Sequence, residues 1–129
     1  MEIPASHIAQ YQNLFDTAKI KDSVIKTVDA VANRIARYKD VYMNLQNQTG
    51  VPWFFIGLIH HMESGNDFTK HLHNGDPLTA KTVNHPAGYP QKGNPPFSFE
   101  ESAIDAIKYQ QLDKVKKWDV TSILYHLEL

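Results

Sequence analysis

The apolar residues of this chain change spacing along its length, and each spacing predicts a different element. From Asp22 to about Asn47, Val24, Val28, Val31, Ile35, Tyr38, Tyr42 and Leu45 recur at intervals of four and three, the pattern of one long helix with a single apolar stripe. Asp22 or Ser23 can cap it. Arg34, Arg37 and Lys39 lie off the stripe as a wet face. A one-sided stripe covers a core instead of passing through it. Upstream, Ile8, Tyr11, Leu14 and Phe15 share one side of a short helix that starts near Pro4 and Ser6. This predicts an N-terminal arm packed on the core.

From Val51 to Ser64 the apolar residues cover almost the whole helical circumference (Val-Pro-Trp-Phe-Phe-Ile-Gly-Leu-Ile-His-His-Met-Glu-Ser). That pattern predicts a central helix surrounded by protein. Pro52 suits its first turn, and Gly65 and Asn66 supply a stop. The next segment, Gly65 to Pro96, holds four of the six glycines and five of the seven prolines. Within it, Asn74-Gly75-Asp76-Pro77 predicts a turn between His71-Leu72-His73 and Leu78-Thr79-Ala80-Lys81-Thr82-Val83, hence a short β-hairpin or an irregular loop. Its length points to a lid or cleft wall, or to mobile material. Ser98-Phe99-Glu100-Glu101 is a capping box opening a helix through about Gln110. Leu112 to Trp118 predicts a shorter turn or helix, and Asp119 can cap a last helix bearing Val120, Ile123, Leu124 and Leu127. The fold class is mainly α, in one domain over residues 1–129.

Composition removes whole classes of function. Formal net charge is −1, from 13 Lys+Arg against 14 Asp+Glu, with no basic block, which argues against a nucleic-acid partner. There is no cysteine, so disulfide and thiolate chemistry are excluded. No run is long and apolar enough to predict membrane insertion, and the first residues lack the basic and apolar regions of a signal peptide. Localisation is therefore not indicated. A monomer is expected, and no cofactor is called for.

The chemistry centres on Glu63. A carboxylate at the C-terminal end of a buried helix is disfavoured by burial and by the helix dipole, and both raise its pKa toward that of a general acid. A turn folding across the helix end could bring Asp76 opposite it, giving the paired carboxylates of glycoside cleavage. Asp76 can equally cap its own turn. Thr79 and Thr82 could orient water or belong to a strand. His60 lies three residues before Glu63, and His71 and His73 point the same way on a strand, enough donors for zinc in principle. The spacings match no standard zinc motif, so no metal site is predicted. Tyr89, in the loop, is the best aromatic for stacking on a sugar; Phe97, Phe99 and Trp53 could stack too, and Trp53 and Phe99 fit core roles as well.

These residues resemble a known family. Glu63-Ser64 at the end of an apolar helix is similar to the Glu-Ser pair of goose-type lysozymes and soluble lytic transglycosylases in the lysozyme superfamily. The ordered set Ile59 to Phe68, His71 to Thr79, Pro86 to Pro90 and Asn94 to Ala103 also resembles a group of bacterial lysozyme-like proteins, over roughly residues 51 to 129. The resemblance implies a lysozyme-like domain that cleaves β-1,4 bonds in peptidoglycan. Glu63 would be the general acid, Asp76 the second acidic residue where one is used, and Ser64 the support of the acid. Apart from the resemblance, the place of the Gly65–Pro96 segment against the helix end makes His71, His73, Thr79 and Tyr89, with Ser64, the expected substrate contacts. The resemblance also implies a Tyr-Asn-Gly-containing stretch after Leu129, so the domain is expected to be cut short there. With Asp76 in place hydrolysis is expected; without it, Glu63 acting as acid and base suits transglycosylation. The rival readings are a glycan-binding or structural module without turnover, and a metal-dependent hydrolase using His60, His71 and His73.

Overall fold

Pro52 holds extended backbone (φ −58°, ψ 138°) and caps the helix that follows, so the missing proline N–H costs nothing. In the computed structural model, which describes residues 3–128, that helix is α4, Trp53–Ser64. Before it come α1 (Ala5–Thr17), α2 (Asp22–Arg37) and α3 (Lys39–Thr49). After it come α5 (Phe99–Tyr109), a 3₁₀ turn (Leu112–Lys114) and α6 (Val120–Glu128). The architecture is mainly α, as the periodicities predict. Between α4 and α5 the chain is irregular, and the predicted hairpin reduces to one antiparallel bridge between Lys70 and Pro77.

The core lies where α3, α4 and α5 meet. Tyr42, Leu45, Phe55, Ile56, Ala103 and Ile107 are buried there, with Val51, Leu72 and Leu112 closing its edges. The Ser98 hydroxyl accepts the Glu101 N–H at 3.1 Å, as the capping box requires. Asp119 likewise accepts the Ser122 N–H at 2.9 Å and starts α6.

Three expectations need correction. The long helix predicted from Asp22 to Asn47 is broken at Tyr38 (φ −102°, ψ 21°) into α2 and α3. The break redirects the stripe: Val31 and Ile35 meet the core from α2, and after the bend Tyr42 and Leu45 run fully inside it. The N-terminal arm is not buried. No residue of α1 is buried, and Leu14 and Phe15 are 51% and 55% exposed, because α1 rests mainly on α6. Nor is α4 enclosed on all sides, since Phe54 and Met62 face solvent.

Gly57 lets α2 and α4 approach closely: a Cβ there would collide with Ile35 Cγ2. Gly57→Ala is therefore expected to destabilise the protein by about 1–3 kcal/mol, as overpacking does, despite the better helix propensity of alanine. The same change in an Ile35→Ala background should add little. Denaturant unfolding of both single variants and the double variant checks this, and additive losses would contradict it.

Candidate active site

The last turn of α4 is held by a chain of hydrogen bonds from within. His60 is fully buried. Its Nε2–H donates to the Asp67 carbonyl at 3.0 Å, which leaves Nδ1 to accept from the Tyr42 hydroxyl at 2.7 Å. The Tyr42 oxygen in turn accepts from Asn66 Nδ2 at 3.0 Å, and the same amide reaches the Gly57 carbonyl at 3.0 Å. The Tyr42 link requires a neutral imidazole, and burial pushes the His60 pKa down, partly opposed by Asp67. Gly65 (φ +67°) and Asn66 (φ +63°) then reverse the chain, left-handed positions that Gly and Asn tolerate best. Ser64 serves this reversal, its hydroxyl donating to the His60 carbonyl at 3.3 Å and accepting the Asp67 N–H at 3.2 Å.

Glu63 projects from this turn into the rim of a cavity of about 270 Å³. Ile59 and Met62 of α4, Leu72 of the loop, Ala106, Ile107 and Gln110 of α5, Leu112, and His126, Leu127 and Glu128 of α6 complete the lining. More than a third of the Glu63 surface is open to solvent. Burial in the cavity rim nevertheless raises its pKa above the ordinary value, with no charged neighbour among the described residues contributing. Among the described residues no side chain hydrogen-bonds its carboxyl, so nothing offsets that loss of hydration.

The other predicted site residues go elsewhere. Asp76 is buried within its own turn, not in the cavity. Its carboxylate accepts the backbone N–H groups of Val83 and Asn84 at 2.9 Å and Asn84 Nδ2 at 2.7 Å. Burial pushes this carboxyl up, but those hydrogen bonds outweigh it and hold the pKa below the ordinary range. His71 and His73 do share a side, as alternation predicts, but that side faces α5. The His71 Nε2–H donates to the Ala80 carbonyl at 2.7 Å, and its Nδ1 accepts from the Ser102 hydroxyl at 2.7 Å. The His73 Nε2–H donates to Asp105 at 2.7 Å, and burial lowers the His73 pKa against the opposing effect of Asp105. Leu72, between them, turns the other way and lines the cavity. Ser102, His73 and Asp105 have the residue types of a nucleophilic triad, yet Ser102 is fully buried and its proton is given to His71, so no substrate reaches it.

Thr79 is exposed, and Thr82 is buried, its hydroxyl accepting the Tyr89 N–H at 2.9 Å. Half-buried Tyr89 packs on His73 and Tyr109, ring centroids 5.9 and 4.8 Å away. Phe97 and Phe99 are core residues, and Trp53 lies under Lys39 at 5.0 Å. Among the described residues no group of three or more His, Asp or Glu side chains is arranged to hold a metal ion. His60 and the His71–His73 pair belong to separate networks. The cavity residues that sequence reasoning missed are Gln110, His126 and Glu128. Their convergence on Glu63 depends on how α5 and α6 pack, and no local signal carries it.

No family model matches the chain, and neither a curated protein nor a solved structure does. No helix among the described residues is long and apolar enough to cross a membrane.

Two pH dependences follow from these environments. His60 and His73 have folded pKa values below their unfolded value of about 6.5, so the unfolded chain takes up protons first. Their contribution is present above that value and is lost as pH falls from there through the folded values. Thermal melts between pH 8 and 5 should show a falling Tm, flattened in a Tyr42→Phe, His60→Leu variant. Glu63 has the opposite sign: its folded pKa is raised, so its ionised form costs stability at neutral pH. Glu63→Gln should raise Tm at pH 7 and lose that advantage below the ordinary carboxylate range; an equal gain at both would show that ionisation is not the cause.

Proposed function

We propose that this chain is a peptidoglycan-cleaving domain of the lytic transglycosylase type, with Glu63 as its single acid and base. The observation that carries the reading is the contrast between the two carboxyls. The Glu63 carboxyl is raised in pKa, without a hydrogen bond among the described residues and open to a cavity, whereas Asp76 is spent on its own loop. A protonated Glu63 can give its proton to the glycosidic oxygen as the bond to C1 breaks, and the next sugar leaves as an alcohol. The resulting carboxylate can then take the proton of the C6 hydroxyl on the sugar that retains this C1, while that oxygen bonds to C1. A 1,6-anhydro ring forms, no water is consumed, and Glu63 ends protonated, ready for another cycle.

Hydrolysis by paired carboxylates needs a second group beside the attacking water. Glu128 lines the same cavity, but Glu63 shows no charge coupling to it. The cavity volume is just under the roughly 300–1,000 Å³ usual for small-molecule sites, which suits one ring of a polymer better than a long enclosed segment.

Incubation with purified peptidoglycan, followed by mass spectrometry, is expected to show anhydro-sugar ends lighter by one water than hydrolytic ends. Glu63→Gln should abolish their release, a loss of at least about 10²-fold on the scale of a removed general acid, with the fold retained. Hydrolytic ends would require a second catalytic group. Binding without products would favour a glycan-binding module, and unchanged turnover in Glu63→Gln would overturn the assignment.

A further inference from the structure

The turn that holds Asp76 lies against the backbone of the acid itself. Gly75 has φ +84°, and a Cβ built on it would stand 2.5 Å from the Glu63 carbonyl oxygen. The contact is backbone on backbone, so neither partner can swing aside. Behind Gly75 the turn is closed by the Asp76 N–H on Asn74 Oδ1 at 2.9 Å, by the His71 N–H on the Asp76 carbonyl at 2.7 Å and by the Gly75 N–H on the His71 carbonyl at 2.9 Å. The Asp76 carboxylate then clamps the turn to Val83 and Asn84. The same turn carries Leu72 into the cavity wall beside Glu63.

We propose that Asp76 is a positioning residue, which presses Gly75 onto the Glu63 carbonyl and so sets the acid and its apolar wall from behind. This rests on the reading of Glu63 as the acid, and it assigns Asp76 a role different from a second catalytic carboxylate. What the site needs from Asp76 is a set of acceptors at fixed places, not a negative charge. Asparagine can supply them. Its carbonyl oxygen can take the Val83 and Asn84 N–H groups, and a turned-over Asn84 amide can accept from its Nδ2. Alanine supplies none, and the loop would then no longer hold Gly75 and Leu72 in place.

The cavity that Glu63 opens into is lined by His126 and Glu128 of α6 and Gln110 of α5, and otherwise by apolar side chains, Leu72 beside the turn among them. The titration of Glu63 therefore reports on whether Leu72 keeps water off its carboxyl. The test follows the Glu63 side-chain carboxyl by carbon NMR through a pH titration of the full chain, in the native protein, Asp76→Asn, Asp76→Ala and Gly75→Ala. It needs no substrate, so its outcome is separate from whether glycan is cleaved. Asp76→Asn should leave the Glu63 titration close to native, while Asp76→Ala and Gly75→Ala should both move it down toward an ordinary carboxylate. On peptidoglycan, Asp76→Asn should stay within a few-fold of native turnover. Asp76→Ala should lose on the order of 10²-fold in kcat, the scale of a slightly misplaced group, with KM little changed. If Asp76→Asn is as inactive as Asp76→Ala, the charge itself is required and the proposal is overturned. A Glu63 titration unmoved in both Asp76→Ala and Gly75→Ala would overturn it equally. Should Asp76→Ala fail to fold, Asp76→Asn and Gly75→Ala decide together: a Glu63 titration displaced in Asp76→Asn, or unmoved in Gly75→Ala, overturns the proposal.

Discussion

The hydrogen bond from the Tyr42 hydroxyl to His60 Nδ1, 2.7 Å long, is the constraint on which the end of α4 depends. It joins α3 to α4, and through His60 Nε2 it reaches the Asp67 carbonyl just beyond the helix. Asn66 closes the loop by donating to the same tyrosine oxygen. A buried polar chain of this kind stabilises most where its members are satisfied. Here Tyr42, His60 and the Asp67 carbonyl match donor to acceptor in the neutral Nε2–H imidazole, while Asn66 Oδ1 is buried without a partner among the described residues. The apolar packing of Phe68 and Phe99 around His60, with ring centroids 4.7 and 4.5 Å away, reinforces that state by excluding water. The direction in which Glu63 leaves the helix is thereby fixed before any contact of Glu63 itself is counted.

The two carboxylates on either side of the Gly75 contact show how one local structure can drive acidity in opposite directions. Glu63 loses hydration and its carboxyl gains no hydrogen bond among the described residues, so its pKa rises. Asp76 has little exposed surface, but its own turn is what covers it. The turn presents N–H groups to the charge, so its pKa falls. Separated pKa values of this sort are what assign roles in a site. They also show why proximity in sequence misleads. Thirteen positions separate Glu63 from Asp76, a hairpin's reach, yet an Asn-Gly-Asp-Pro turn satisfies its aspartate locally before the helix end can use it.

Much of the scaffold was legible in the sequence because it rests on local rules. The Gly65 stop, the Ser98 cap on the Glu101 N–H and the Asp119 cap on α6 follow from residue type and position alone. The alternation of His71, Leu72 and His73 was legible too, but not which way it faced. Alternation says that the histidines share a side; only the placement of Ser102 and Asp105 on α5 decides that this side is the buried one. The break at Tyr38 left no mark, since no proline or glycine causes it and the apolar stripe runs through it unchanged. Tertiary packing of Tyr42 and Leu45 wins over helix continuity there. Gln110, His126 and Glu128 were invisible for the same reason: the cavity is made by the convergence of α4, α5 and α6, distant in the chain.

The walls of the cavity differ in how firmly they are held. Leu72 is anchored from behind by His71 on Ser102 and Ala80, and by His73 on Asp105, all at 2.7 Å. The wall contributed by α6 has less. Its attachments to the core include Trp118, 4.7 Å from Phe55 and 5.3 Å from His126, and its outer side is backed by α1. Tyr125 meets His7 and Tyr11 across that contact, with ring centroids 5.8 and 6.1 Å away. Because α1 buries none of its own residues, the pair α1–α6 is secured by partly exposed apolar surface, which stabilises less per residue than full burial. Local opening follows the elements with the fewest buried contacts. Widening of the Glu63 cavity therefore costs least on the α6 side, while the turn beneath the acid stays in place. On the function proposed above, a site that admits a polymer and still holds its acid in one position is served by that division of rigidity.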